Sequence, residues 1–548
     1  MKKKILGASI GNCVHVAGII HFLDLADKEG YETVFLGPAV SVDVLFERIN
    51  EMRPDEIAVS YRLTPNNARM LIEEINNKRA KLKYNPKWLF GGTKPNADIA
   101  KEYGFFSFIS DGFDEISDSI RYLRGQTQED SAKSYGTNIV ERIEKNHPFP
   151  VLRHHFGLPD LEKTVEGVKE ISQSKVLDVI SLGPDQNAQQ FFFSPGRMKA
   201  EFDGAGGVPI RREEDLRKLK EASRRGNYPL MRCYSGTEDV FKYAPMLKDT
   251  IDNAWAAVPL YWYNELDGRG TRKVEVSIKE AQKLIKWHAE RNIPVEINEP
   301  HHWGLRDAHD VMPVVAAYIS AYNAKKLGVK NYIAQYMFNN PNGLSLSMDL
   351  AKVLAMIEVV ESLEDDVFKT YRQTRVGLPF LSVDENVAKG QLAASTFMQM
   401  LVKPHIIHVV AYCEADHAAT PEEIIESCKI VKGVIRHTVN DSLEIDRGDR
   451  IAERKNELIK EAKVLIEYVK EHFSKYEDPL LSSEVLAECV KRGYFDAPHI
   501  VKNDKFRGTL CTKLVGGKCI AYDKKTGEEL KEIDRLKRQE KVLRAEDN

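Results

Sequence analysis

Four groups of residues in this 548-residue chain combine side chains and spacings that could do chemistry. The first is Gly11-Asn12-Cys13-Val14-His15-Val16-Ala17-Gly18. It follows an apolar run that reads as a strand, so His15 stands in the loop that opens a helix, where a neutral imidazole is a good transition-metal ligand. The second group closes two further apolar runs: Ser60 to Thr64, and the pair Gly91-Gly92. Hydroxyls and side-chain-free positions at neighbouring strand ends would line a slot for a ligand. Third, Arg232 ends the run Pro229–Cys233 just before the polar stretch Tyr234–Asp239. A guanidinium there is suited to clamp a carboxylate through two parallel hydrogen bonds. The fourth is Asn298-Glu299-Pro300-His301-His302-Trp303, preceded by Tyr261-Trp262-Tyr263 and Asp267-Gly268-Arg269. An aromatic wall beside histidines and an acid could hold a bulky substrate, with His301 or His302 as general acid or base and Arg269 and Glu299 beside them. A zinc site from Glu299, His301 and His302 is the alternative, although adjacent histidines rarely converge on one metal.

These groups need elements to position them. Residues 1–125 alternate strand-like runs (Lys4–Ile10, Thr33–Leu36, Glu56–Ser60, Trp88–Gly91, Phe106–Ile109) with amphipathic stretches, the rhythm of a doubly wound, flavodoxin-like parallel sheet. His15, Ser60 and Gly91 then all fall at the carboxyl edge, where open α/β sheets bind ligands. Residues 126–174 are polar and read as a linker. From 175 to 435 the rhythm resumes, with strands expected at Val176–Leu182, Pro229–Cys233, Ala254–Leu260, Val295–Asn298, Tyr332–Gln335 and Ile406–Ala411. That length suits a (β/α)8 TIM barrel, whose chemistry sits on the loops after the strands. Residues 436–548 form a helical and hairpin extension, with a charged helix near 450–475 and a hairpin near 515–530.

Composition narrows the class. With 43% hydrophobic and 29% charged residues the chain is globular, and a net charge of -3 argues against general nucleic-acid binding. No run of about 18 apolar residues offers a membrane span. The basic start Met1-Lys2-Lys3-Lys4 leads into a stretch broken by Gly7, Ser9 and Gly11, which reads as a buried strand in place of a signal peptide, so a cytoplasmic protein is expected. Seven cysteines without a CxxC pair fit reduced thiols.

The first two groups resemble the cobalamin-binding domain shared by methionine synthase, methylmalonyl-CoA mutase and glutamate mutase. That family carries Asp-x-His-x-x-Gly, then Ser-x-Leu, then Gly-Gly. Here the pattern is Cys13-x-His15-x-x-Gly18, Ser60-x-Arg62 and Gly91-Gly92. The resemblance implies that His15 takes the axial cobalt position and that Ser60, Thr64, Gly91 and Gly92 line the nucleotide-tail slot. Cys13 replaces the aspartate that backs the histidine, and a thiol is a poorer acceptor than a carboxylate. The plain reading is that His15 opens a helix in a flavodoxin-like unit that binds another ligand or nothing.

The barrel segment is similar to the catalytic (epsilon) subunit of glutamate mutase. Met231-Arg232-Cys233 through Asp239 parallels its Val-Arg-His-Gly-Thr-Pro-Asp, and Asn298-Glu299-Pro300, Met348-Asp349, Glu414-Ala415 and Thr420-Pro421-Glu422-Glu423 follow in the same order. The resemblance implies adenosylcobalamin as cofactor, Arg232 on a substrate carboxylate, and Glu414 on the adenosyl ribose. It implies a radical carbon-skeleton mutase acting on a small carboxylate-bearing molecule, with a homodimer expected. A corrinoid methyltransferase and a non-enzymatic cobalamin carrier or sensor are the rivals. The family's arginine-bearing loop after the first barrel strand is matched only by Gly183-Pro184-Asp185-Gln186, and its Glu-Gly-Gly run by Ala254-Trp255-Ala256-Ala257, so glutamate itself is not the expected substrate.

Overall fold

The computed structural model describes residues 2–112, 116–126, 132–234, 238–439, 448–500 and 505–546. It divides into two compact units, Met1–Glu129 and Asp130–Asn548. The stretch Thr127–Ser131 and the loop residues Ser235, Gly236 and Thr237 lie outside the described residues.

The first unit is a five-stranded parallel sheet of β1 (Lys4–Ser9), β2 (Glu32–Phe35), β3 (Glu56–Tyr61), β4 (Lys87–Gly92) and β5 (Phe106–Ser110), in the order β2-β1-β3-β4-β5. β1 and β3 are buried almost throughout because helices cover both faces, which is why they read as continuous apolar runs. The strand order reverses between β1 and β3, and the ends of β1, β3 and β4 carry the expected ligand-binding residues. Gly11 adopts φ +64 as the chain leaves β1, and a Cβ there would lie 2.6 Å from Leu71 Cδ1, so this turn requires glycine.

The second unit contains an eight-stranded parallel sheet: β6 (Val151–Phe156), β7 (Val179–Leu182), β8 (Leu230–Cys233), β9 (Ala256–Val258), β10 (Val295–Ile297), β11 (Asn331–Phe338), β12 (Lys369–Val376) and β13 (Ile406–His408). The order β8-β7-β6-β13-β12-β11-β10-β9 brings β8 and β9 to the two edges. The Ala254 N–H donates to Met231 O at 2.9 Å beside those edges, so the sheet forms a nearly closed barrel. Its floor is apolar, built from Val151, Val179, Leu230, Trp255, Ile333 and Ile406.

Two expectations change here. The barrel begins at β6, inside the segment read as a linker to residue 174, and the helix Leu161–Ser174 is its first crossover. β12 was not expected at all. Both strands put polar residues at alternate positions, Arg153 and His155 in one, Gln373 and Arg375 in the other, so neither gives the apolar run that marked the other six.

The extension packs on this barrel. A helix spans Gly448–His472, and the hairpin is β14 (Thr512–Val515) with β15 (Lys518–Ala521). Gly516 and Gly517, at φ +57 and +80, form the hairpin turn and lead directly into β15. Asp310 fixes the hairpin by accepting from the Cys519 N–H at 3.1 Å and pairing with Arg454 at 3.0 Å.

Candidate functional site

In the first unit the loop after β1 is held from behind. Ser9 Oγ donates to Cys13 O at 2.8 Å, the Ala39 N–H donates to the same carbonyl at 3.0 Å, and the Tyr61 hydroxyl donates to Asn12 Oδ1 at 3.1 Å. Cys13 is thereby fully buried while Val14 and His15 stand exposed. Cys13 Sγ lies 3.8 Å from His15 Nδ1, so the thiol backs one ring nitrogen and leaves Nε2 available to a ligand. At the next strand end Ser60 is buried and its Oγ has no hydrogen-bond partner. A buried hydroxyl without a partner is costly unless a ligand or water completes it. Thr64 is exposed at the start of the helix Pro65–Arg79, and its side chain forms no cap hydrogen bond.

The glycines separate by cause. A Cβ on Gly92 would sit 2.7 Å from Tyr61 O, so the fold itself needs glycine there. A Cβ on Gly91 would meet nothing nearer than Ser60 Cβ at 4.0 Å, and one on Gly18 would meet nothing within 4 Å. Packing does not demand these two, and both leave room beside His15 and Ser60. Exposed imidazole, unpartnered hydroxyl and open glycines together fit the donor set that a corrinoid with an extended nucleotide tail requires.

The barrel interior above the apolar floor is polar and hydrogen-bonded across the barrel. Arg153 donates to Gln373 Oε1 at 2.7 Å, Ser181 Oγ at 3.1 Å and Gln335 Oε1 at 3.3 Å. Arg232 pairs with Glu296 at 3.3 Å, and Glu296 also accepts from Trp255 Nε1 at 2.7 Å. Gln335 Nε2 donates to His301 Nδ1 at 2.9 Å, which places the ring proton of neutral His301 on Nε2. His155 Nε2 accepts from Arg153 at 3.0 Å and from the Tyr234 hydroxyl at 3.0 Å. Burial, then the guanidiniums of Arg153, Arg232 and Arg375, push His155 well below its ordinary value. Burial first, then neighbouring charge, does the same to His301, His302 and His408, so all four rings are neutral near pH 7.

Arg232 is fully buried and tied to Glu296, deeper than a clamp open to substrate. Arg375 is only partly buried, forms no ion pair among the described residues, and spends its Nε on Val376 O at 3.3 Å. Three guanidiniums therefore meet two ionised carboxylates, Glu296 and Glu414, an excess of positive charge suited to an anionic ligand.

The remaining expected residues are placed as follows. Glu299 is fully buried, and its Oε1 accepts from the N–H groups of Leu260 and Tyr261 at 2.5 and 2.9 Å. Burial pushes its carboxyl up to about 7 against the pull of those two bonds. The His301 and His302 rings lie with centres 4.3 Å apart and planes tilted by 31°, and the Trp262 ring centre lies 5.6 Å from that of His302. The zinc alternative fails, because among the described residues Glu299, His301 and His302 do not bring three ligand atoms together. Arg269 is bound to Asp267 at 2.7 Å and lies over the Tyr263 ring at 3.9 Å, on the rim. Glu414 accepts from the Ala411 N–H at 2.9 Å, and its Oε1 lies 2.8 Å from His154 Nε2. Burial raises that carboxyl, but His154 and the Ala411 N–H outweigh it and hold it below its ordinary value.

Sequence reasoning missed Arg153, His155, Glu296, Gln335, Gln373, Arg375 and His408. A period-two pattern of polar residues in the short strands β6 and β12 was the available signal. Because β6 is the first barrel strand, the loop to compare with the family's arginine-bearing one is Gly157-Leu158-Pro159-Asp160 and not Gly183–Gln186, and it too has no arginine, although β6 itself carries Arg153.

No protein-family model matches this sequence, and no curated protein is similar to it. Among solved structures, a cobalamin-binding protein from Desulfitobacterium hafniense is similar at 21% identity, over 23% of this chain and 60% of that one, with a TM-score of 0.20. The cobalamin-dependent S-adenosylmethionine radical enzyme OxsB is similar at 10% identity, over 80% of this chain and 56% of that one, with a TM-score of 0.18. The chain thus spans less than two thirds of either structure. Among the described residues no helix is long and apolar enough to cross a membrane.

Proposed function

We propose that this chain is a cobalamin-dependent isomerase, a radical carbon-skeleton mutase that binds adenosylcobalamin through its first unit and a small carboxylate-bearing substrate in its barrel. The observation that carries the cofactor assignment is the exposed His15, backed by Cys13 and flanked by the unpartnered Ser60 Oγ, at the point where the sheet order reverses. His15 would ligate cobalt through Nε2, with Ser60, Thr64, Gly91 and Gly92 along the nucleotide tail. When bound, the cofactor supplies homolytic cobalt–carbon chemistry, which the side chains of this protein cannot provide.

The chain's own residues do the rest. Arg375 is the guanidinium free to take a substrate carboxylate, with Arg232 and Arg153 raising the positive potential beneath it. The apolar floor and the Tyr261, Trp262 and Trp303 cluster exclude water from the polar interior. Neutral His301 can donate from Nε2 to a substrate oxygen or nitrogen. Glu299, with a carboxyl near neutrality, can hold or release one proton over the physiological range.

Anaerobic incubation of the full chain with adenosylcobalamin and a panel of small amino and hydroxy acids tests this reading. A cob(II)alamin radical signal that depends on the added acid is expected. Transfer of methyl from methylcobalamin without a radical signal would replace the mutase by a methyltransferase, and corrinoid uptake with no turnover at all would leave a carrier.

A further inference from the structure

The loop that leaves β13 and enters the helix Pro421–Thr438 carries a second cluster of metal-ligating types. Cys413 Sγ, a ring nitrogen of His417 and a carboxylate oxygen of Glu423 all lie within 4.8 Å of one another. The backbone makes this convergence. The His417 N–H donates to Cys413 O at 3.0 Å, so the two side chains sit one helical turn apart. Glu423 is the third residue of the following helix, and its Oε2 accepts from Thr420 N at 2.8 Å and Thr420 Oγ1 at 2.9 Å. That capping box consumes one oxygen and directs Oε1 to 2.8 Å from His417 Nε2.

A separate contact bears on what the cluster holds. His417 Nδ1 lies 2.9 Å from Asp416 Oδ2, so the ring stands between two carboxylates. With both nitrogens protonated the ring donates to both carboxylates; in the neutral tautomer whose Nδ1–H donates to Asp416, the Nε2 lone pair faces Glu423 and can meet a cation shared with it. The second is the carboxylate–histidine arrangement that orients metal-bound imidazoles.

We propose that Cys413, His417 and Glu423 bind a divalent transition ion of the zinc class, with water in the remaining position. Metal–ligand bonds of about 2.0–2.3 Å require ligand atoms roughly 3.3–3.7 Å apart, so His417 Nε2 and Glu423 Oε1, 2.8 Å apart, must open slightly to admit the ion, a movement open to the exposed His417 ring. On binding, the Cys413 S–H bond breaks and its proton leaves to solvent, a metal–sulfur bond forms, and His417 gives up its second proton where it carries one. Thiolate and carboxylate balance the two positive charges, and nothing is oxidised or reduced. The ion would staple the loop carrying Glu414 to the helix that follows it. The inference does not depend on the cobalamin reading, because its ligands are not shared with His15 or the barrel interior.

The test uses the full chain, reduced and stripped with a chelator. It is titrated with Zn²⁺ against a chromophoric competitor, and separately with Co²⁺ as a spectroscopic probe. One equivalent of Zn²⁺ and a thiolate-to-cobalt charge-transfer band are expected. Cys413→Ser and His417→Ala should each weaken Zn²⁺ by at least about 100-fold, more than loss of an orienting partner alone. Glu423→Gln keeps the helix cap and so separates loss of a ligand from loss of folding. His15→Ala should bind as the parent does. No uptake in competition, no thiolate band, or unchanged affinity in Cys413→Ser and His417→Ala overturns the site and leaves a doubly protonated His417 between its carboxylates.

Discussion

Replacing Glu299 by glutamine should remove a slope from the pH dependence of stability. The carboxyl is fully buried, and two backbone donors hold one oxygen while the other has no hydrogen-bond partner. Folding therefore carries it from an ordinary 4.5 up to about 7. Between those values the folded state keeps a proton that the unfolded chain has released, so the folded state binds more protons. The contribution is fully present below about 4.5 and is lost as the pH rises through about 7. At about 1.4 kcal/mol for each pH unit, the full loss is about 3 kcal/mol. Glutamine still accepts from Leu260 and Tyr261 but cannot ionise. Denaturant unfolding of parent and Glu299→Gln from pH 4.5 to 8, followed by tryptophan fluorescence near Trp262 and Trp303, gives the difference directly. Any fixed cost of the amide cancels, and the parent should fall by about 3 kcal/mol relative to the variant. Parallel curves would refute the buried-proton account of this site.

Further outcomes follow from the same geometry. His15→Ala should abolish or alter the absorption spectrum of bound corrinoid, read by difference spectroscopy after gel filtration. Gly91→Ala should fold as the parent but lose corrinoid affinity, whereas Gly92→Ala, with its Cβ 2.7 Å from Tyr61 O, should lose about 1–3 kcal/mol of stability in denaturant melts. Glu296→Ala leaves Arg232 buried without its carboxylate, and thermal and denaturant unfolding should show a loss of about 3–5 kcal/mol. Arg375→Ala should raise KM for a carboxylate substrate by about 10- to 100-fold, equivalent to 1.5–3 kcal/mol, with little change in unfolding midpoint because Arg375 forms no ion pair among the described residues.

The strand-end motifs of the first unit were legible because each is local. A βα turn places His15, and a strand's last residues place Ser60 and Gly91, whatever the rest of the chain does. The six apolar barrel strands were legible for the same reason. β6 and β12 were not, since a barrel strand facing a polar interior alternates charged and apolar residues and so resembles a loop. Arg232 was found at its strand end, but its partner Glu296 is 64 positions away. Without that partner, local sequence cannot tell an arginine that clamps substrate from one buried in an ion pair.

By itself, then, the sequence determined the two α/β units, the sheet edge that bears His15, and the reduced state expected of the cysteines. Tertiary structure alone decided which polar residues share the barrel interior, because closing the sheet joins Arg153 to Gln373 across 220 positions. It also decided the charge states there, since the protonation of Glu299 depends on burial, and that of His155 and His301 on burial and on guanidiniums delivered by other strands. Short-range pattern fixes where a side chain emerges from its own element. Its neighbours and its dielectric are set by elements that only folding brings beside it.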